Sequence, residues 1–95
     1  MTKADIVTNI SEKLGLEKSE SQKVVELFMD TVKDSLSKGD NVYLRGFGSF
    51  ITKKRAEKVG RNISKKTSVI IPEHFIPAFK PSKTFVEQVK SNVKS

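Results

Sequence analysis

Between Lys53 and Lys66 this chain has almost nothing with which to rest on an interior. The stretch Lys53-Lys54-Arg55-Ala56-Glu57-Lys58-Val59-Gly60-Arg61-Asn62-Ile63-Ser64-Lys65-Lys66 sets seven cations against the single carboxylate of Glu57, a local charge of +6 in a protein whose net charge is +7. Residues 1–52 sum to −1 and residues 67–95 to +2, so the basic character is one concentrated patch. Charged side chains are almost never buried unpaired, and whatever body the rest of the chain forms, this segment has to project from it. Such a patch attracts a polyanion over a defined footprint, nucleic acid being the commonest. The plainer reading is a solvated lysine-rich loop. The flanking segments decide between the two.

Upstream, the apolar period is helical. Val7, Ile10 and Leu14 fall on one face with Ile6 beside them, Thr2 and Asp5 have the spacing of a capping box, and Gly15 closes the segment. A longer stripe follows in Val24, Val25, Phe28, Met29, Val32 and Leu36, opposed by Lys23, Glu26, Asp30, Lys33 and Asp34. Lys38-Gly39 is its stop signal, while Glu17 and Ser19 are alternative starts. The period then changes to two. Val42, Leu44 and Gly46 alternate with polar positions, Phe47-Gly48-Ser49-Phe50-Ile51-Thr52 follows, and the two segments read as antiparallel strands joined tightly through Arg45-Gly46-Phe47-Gly48. The second strand runs into the basic stretch without an evident end, and β-branched Thr67–Ile71 can return as its partner. Pro72 and Pro77 require the third strand region to lie at a sheet edge or carry a bulge. Ser82 caps a last helix with Phe85, Val86, Val89 and Val93 on one face.

The pattern is that of an α+β fold: a helical body and a small antiparallel sheet that extends into a long β-ribbon arm. The eleven residues from Lys53 to Ile63 span roughly 35 Å when extended. A two-stranded ribbon is at best marginal in water alone, so one this basic makes sense wrapped around a partner. It fits a DNA groove, where its cations meet the phosphates of both strands.

Ninety-five residues allow one domain with a marginal core, for which a second copy of the chain is a common remedy. The absence of cysteine excludes disulfides and thiolate chemistry and fits a reducing compartment. No apolar run approaches the roughly 20 residues of a membrane span, and the N-terminus lacks a signal peptide's apolar stretch. The chain therefore reads as soluble and cytoplasmic. His74, the single histidine, has no cysteine or carboxylate cluster around it in sequence, so no metal or other cofactor is expected. No nucleophile elbow, paired carboxylates or glycine-rich phosphate loop points to an enzyme or a small-molecule substrate.

Gly46-Phe47-Gly48-Ser49-Phe50, Gly60-Arg61-Asn62 and Ile76-Pro77-Ala78-Phe79-Lys80-Pro81-Ser82-Lys83, in this order and spacing, resemble the signature of the bacterial HU and integration host factor family of histone-like proteins. The resemblance covers about residues 1–90 and implies an intertwined dimer whose two arms embrace bent double-stranded DNA through the minor groove. It implies a single domain over residues 1–95, with a helical hairpin at about 3–38, the sheet and DNA-binding arm at about 41–80 and a C-terminal helix at about 83–93. Arm contacts are expected from Lys53, Lys54, Arg55, Lys58, Arg61, Asn62, Ile63, Lys65 and Lys66. Lys3, Lys80 and Lys83 look like phosphate contacts on the body, and Phe47, Phe50 and Phe79 match the aromatic positions of the dimer core. The chain departs from the family at two places: Ile63 stands where proline usually follows Gly-Arg-Asn, and Lys65-Lys66 replaces a frequent Thr-Gly pair.

The function expected is that of an architectural, nucleoid-associated protein that binds and bends duplex DNA with little sequence preference. A site-specific bender of the integration-host-factor kind is the alternative. A module for RNA or anionic membrane fits less well, because the cations cluster on a ribbon rather than on an amphipathic helix, and duplex RNA offers only a wide, shallow minor groove. A homodimer is expected, with pairing to a homologous chain as the other arrangement.

Overall fold

The computed structural model describes residues 1–62 and 67–93. In chain order it contains α1 (Lys3–Leu14), α2 (Lys18–Ser37), β1 (Val42–Leu44), β2 (Gly48–Arg55), β3 (Lys58–Asn62), β4 (Thr67–Ile71), β5 (His74–Pro81) and α3 (Lys83–Asn92).

The capping box is present at the start of α1. The Thr2 amide donates to Asp5 Oδ2 at 2.8 Å, and the Asp5 amide donates back to Thr2 Oγ1 at 3.4 Å. Gly15 takes the left-handed conformation (φ 67°) that ends the helix, and its N–H reaches Ser11 O. Of the two candidate starts for α2, Glu17 holds the cap position without a side-chain bond, and Ser19 lies inside the helix. Lys38 and Gly39 (φ 83°) end it. α1 and α2 pack on each other; Val7 and Ser11 of α1 and Ser21 and Val32 of α2 are buried. The Ser11 hydroxyl donates to Leu16 O, whereas the Ser21 hydroxyl is fully buried and has no partner among the described residues.

β1, β2 and β5 form an antiparallel sheet in the order β1-β2-β5. β5 is therefore an edge strand, which is where Pro77 is tolerated, opposite Thr52. Phe50 and Phe79 are register partners with ring centroids 4.9 Å apart, and Phe47 and Phe85 complete a cluster at 5.0 Å (Phe47–Phe79) and 5.5 Å (Phe47–Phe85). The Phe79 ring lies over Gly48. α3 is fixed at its start by the Ser82 hydroxyl, which accepts from the Phe85 amide, and by the Ser82 N–H, which donates to Phe47 O at 2.9 Å.

The ribbon is not one uninterrupted hairpin. β2 ends at Arg55, and Thr67–Ile71 pairs with β3 rather than with β2. The two ladders are nevertheless in phase. Stepping past Arg55↔His74 sets Ala56 opposite Glu73 and Glu57 opposite Pro72, and the next pair is the observed Lys58↔Ile71. Pro72 has no N–H to give the ladder, which accounts for a break at this point without a change of register.

The apolar stripes expected to be core are mostly uncovered in the single chain. Among the described residues only Val7 and Val32 are buried hydrophobics, while Phe47 is 44% and Phe79 37% exposed, with Phe28, Val86 and Val89 similarly open. The radius of gyration is 18.8 Å, against about 12 Å for a compact chain of this length. Among the described residues no element covers these apolar side chains, and the molecule is elongated, at 57 × 34 × 30 Å.

A Cβ on Gly48 would lie 2.6 Å from Lys80 O and 2.6 Å from the Phe79 ring. Because backbone cannot yield, Gly48→Ala is expected to destabilise the protein by about 2–3 kcal/mol. Ser21→Ala, which removes a buried hydroxyl without a partner, should be neutral or stabilising. Denaturant midpoints at equal chain concentration check both.

Candidate nucleic-acid interface

The β2–β5 register assigns every side chain of the sheet to one of two faces. Val42, Phe50 and Phe79 share a cross-strand row and face the aromatic cluster, and Thr52 and Pro77 follow on that side. The next row is Tyr43, Ser49 and Lys80, on the opposite face; Lys53 beside Ile76 and Arg55 beside His74 continue it. Lys53, Arg55 and Lys80 therefore project from one face, and all three are exposed.

Lys54 turns the other way. Its Nζ is 2.9 Å from Glu73 Oε1, across the ribbon's break, with both side chains more than half exposed. A pair this exposed is worth at most a fraction of a kcal/mol and exchanges readily for another anion. Lys58 opens β3 opposite Ile71 and is exposed. Arg61 and Asn62 occupy the far end of β3, opposite Ser68 and Thr67. Ile63, Lys65 and Lys66 lie outside the described residues.

On the body, Lys3 Nζ is 3.0 Å from Glu26 Oε1, and Gln22 Nε2 donates to the same oxygen at 3.1 Å. The hydrogen bond from Lys3, then that from Gln22 and the Lys3 charge, hold the Glu26 carboxyl below its ordinary range. A phosphate approaching Lys3 would compete with Glu26. Lys80 and Lys83 are brought together at the junction of β5 and α3, where they line a shallow depression of about 620 Å³ with Arg45, Tyr43 and Ser82. Arg45 is a member of this cationic group that the sequence reading leaves in a turn. Its signal was its place immediately before the Gly46 turn, which returns it towards the β5 end. Phe47, Phe50 and Phe79 do come together, and Phe85 joins them; reading it only as part of a helix face hides that role.

Among the described residues no group of three or more metal-ligating side chains occurs, and no helix is long and apolar enough to cross a membrane. The arrangement can neutralise anionic charge along a line that runs from the α3 junction across the open sheet face and onto the ribbon.

A β-ribbon in phase with a sheet, cationic on its open face and set on a helical hairpin, is the architecture of a DNA-binding class. Residues 1–90 match the family of bacterial DNA-binding proteins, and the chain belongs to that family. It is 38% identical to DNA-binding protein HU of Geobacillus stearothermophilus over 90 residues, which cover 95% of this chain and all of that protein. It is also 38% identical to integration host factor subunit alpha of Anaeromyxobacter sp. (strain Fw109-5) over 82 residues, 86% of this chain and 83% of that one. Among solved structures, an Anabaena HU–DNA cocrystal aligns with a TM-score of 0.88 at 35% identity, covering 94% of this chain and 97% of that one.

Proposed function

We propose that this chain is an architectural protein that binds duplex DNA and bends it with little dependence on base sequence, acting in the nucleoid and hence in the cytoplasm. The observation that carries the reading is the shared face of Lys53, Arg55 and Lys80, with a ribbon in register beyond it that carries further cations, Lys58 at the parity of Lys54. Membership of a DNA-binding family and the fold shared with a DNA-bound HU support it. Lysines and arginines on a ladder meet phosphates, which fix position and carry no sequence information. We assign the chain no catalytic step and no cofactor.

In this reading Lys53, Arg55, Lys58, Lys65 and Lys66 neutralise backbone charge along the arm, with Lys54 joining once it leaves Glu73. Arg61 and Asn62 enter the minor groove. Lys3, Lys80 and Lys83, with Arg45, hold the flanking phosphates. Ile63 stands where the family has proline and acts as the apolar wedge that parts a base step. A sequence-specific bending role is the second reading, favoured by the likeness to integration host factor subunits. Specificity would then come from the deformability of the DNA.

A second copy of the chain, or a homologous one, completes the core. The open side carrying Phe28, Phe47, Phe79 and Val89 is the surface it would cover. Sedimentation should give the mass of two chains, and the unfolding midpoint should rise with chain concentration; a folded monomer with a concentration-independent midpoint would overturn this.

The function itself is tested by competition among duplex DNA, duplex RNA and anionic vesicles, with bending read by energy transfer across a labelled duplex. DNA should win and bend, and unrelated duplexes should compete about equally. Ile63→Ala should bind with an unchanged salt slope but bend less, since alanine is too small to hold base pairs apart and unstacking costs a few kcal/mol per step. Preference for vesicles or RNA would sink the proposal. One duplex outcompeting all others would select the sequence-specific reading.

A further inference from the structure

Tyr43 is the chain's single tyrosine, and there is no tryptophan. It sits in the middle of β1 and is 72% exposed, while its neighbours Val42 and Leu44 turn to the aromatic face and are half-buried. An aromatic ring this open contributes little to stability through burial. Its hydroxyl is nonetheless held in place. Asn41 Nδ2 donates to Tyr43 Oη at 3.3 Å, and Asn41 Oδ1 accepts the Thr52 backbone N–H at 3.1 Å. Because the backbone donor claims Oδ1, the amide has one orientation, with its NH₂ end towards the phenol. The phenolic oxygen is therefore the acceptor, which leaves its own proton free to donate.

The surroundings say to what. Tyr43 shares its cross-strand row with Ser49 and Lys80. The depression it lines has Arg45, Lys80 and Lys83 as its charged residues, all cations, so the chemistry that fits there is an anionic oxygen. Tyrosine hydroxyls are among the neutral donors that position phosphates. We propose that Tyr43 is a phosphodiester contact of the DNA interface, oriented by Asn41, with its O–H donated to a backbone phosphate and its ring laid against the adjoining sugar. This rests on the DNA-binding reading above and adds to it a contact that no count of basic residues would include. Being neutral, it strengthens binding without releasing a counterion, and this separates it from every lysine in the interface.

The test uses the full chain. Tyr43→Phe removes the hydroxyl and keeps the ring; it should weaken duplex binding by about 3- to 10-fold and leave the salt slope unchanged. Lys80→Ala should weaken binding and lower the slope by about 0.9 for each Lys80 that meets a phosphate. Asn41→Ala should reproduce part of the loss and add little to Tyr43→Phe in the double variant, as expected of two residues acting through one hydroxyl. Tyrosine emission of the parent reports directly on Tyr43 and should change on saturation with duplex, but not with inorganic phosphate at matched ionic strength. Parent-like affinity of Tyr43→Phe, emission indifferent to saturating DNA, or an equal response to inorganic phosphate would each overturn the assignment. If the parent binds no duplex at all, the DNA-binding reading falls with it; if the parent binds and Tyr43→Phe is unaffected, only this contact falls.

Discussion

The pairing of Phe50 with Phe79 in the β2–β5 ladder is the contact on which the rest of this molecule depends. It fixes the parity of both strands, because side chains alternate faces with a period of two. Phe50 and Phe79 on one side mean that Lys53, Arg55 and Lys80 project from the other. A slip of one residue would send the cations into the aromatic cluster and the phenylalanines into water. Gly48 guards that register, since the Phe79 ring occupies the space a side chain would need. The same parity passes through the break at Pro72 into the ribbon, so the sheet aims the arm as well as supporting it.

Two faces of one small sheet thus have opposite needs. The aromatic face has more apolar surface than α2 and α3 of the same chain cover, and it calls for a second chain. Off the cationic face, Lys3 and Lys54 sit in ion pairs too exposed to be worth much. Lys3–Glu26 and Lys54–Glu73 are solvent-accessible, and such pairs cost little to break when a phosphate offers a denser charge. Stability and binding accordingly draw on different faces, and a charge change on the open face can alter affinity while leaving the fold intact.

Much of this was legible in the sequence, for identifiable reasons. The helices were marked at their ends by Thr2, Gly15, Gly39 and Ser82, each of which performs the local bond or backbone turn its chemistry favours. Pro72 and Pro77 called for an edge strand or a bulge, and β5 lies at the edge of the sheet. The break in the ribbon was harder to see, because β-branched Thr67–Ile71 reads as strand whichever partner it takes, and strand partners are set by register. Glu73 as the partner of Lys54, and Glu26 as that of Lys3, are contacts between elements and leave no periodic trace. Tyr43 and Arg45 were hidden for a related reason: each is an ordinary residue in its own segment and becomes part of a site only when β5 returns beside β2.

Binding by charge neutralisation on a register-fixed face makes one quantity decisive, the dependence of DNA affinity on salt. The measurement is the dissociation constant for two unrelated random duplexes across a range of monovalent salt. If the arms and body of two chains together neutralise about 6–10 phosphates, affinity should fall roughly 10³- to 10⁵-fold between 50 and 200 mM, equally for both duplexes. A shallow dependence corresponding to about one or two phosphates, or a steep one for a single duplex only, would contradict the account.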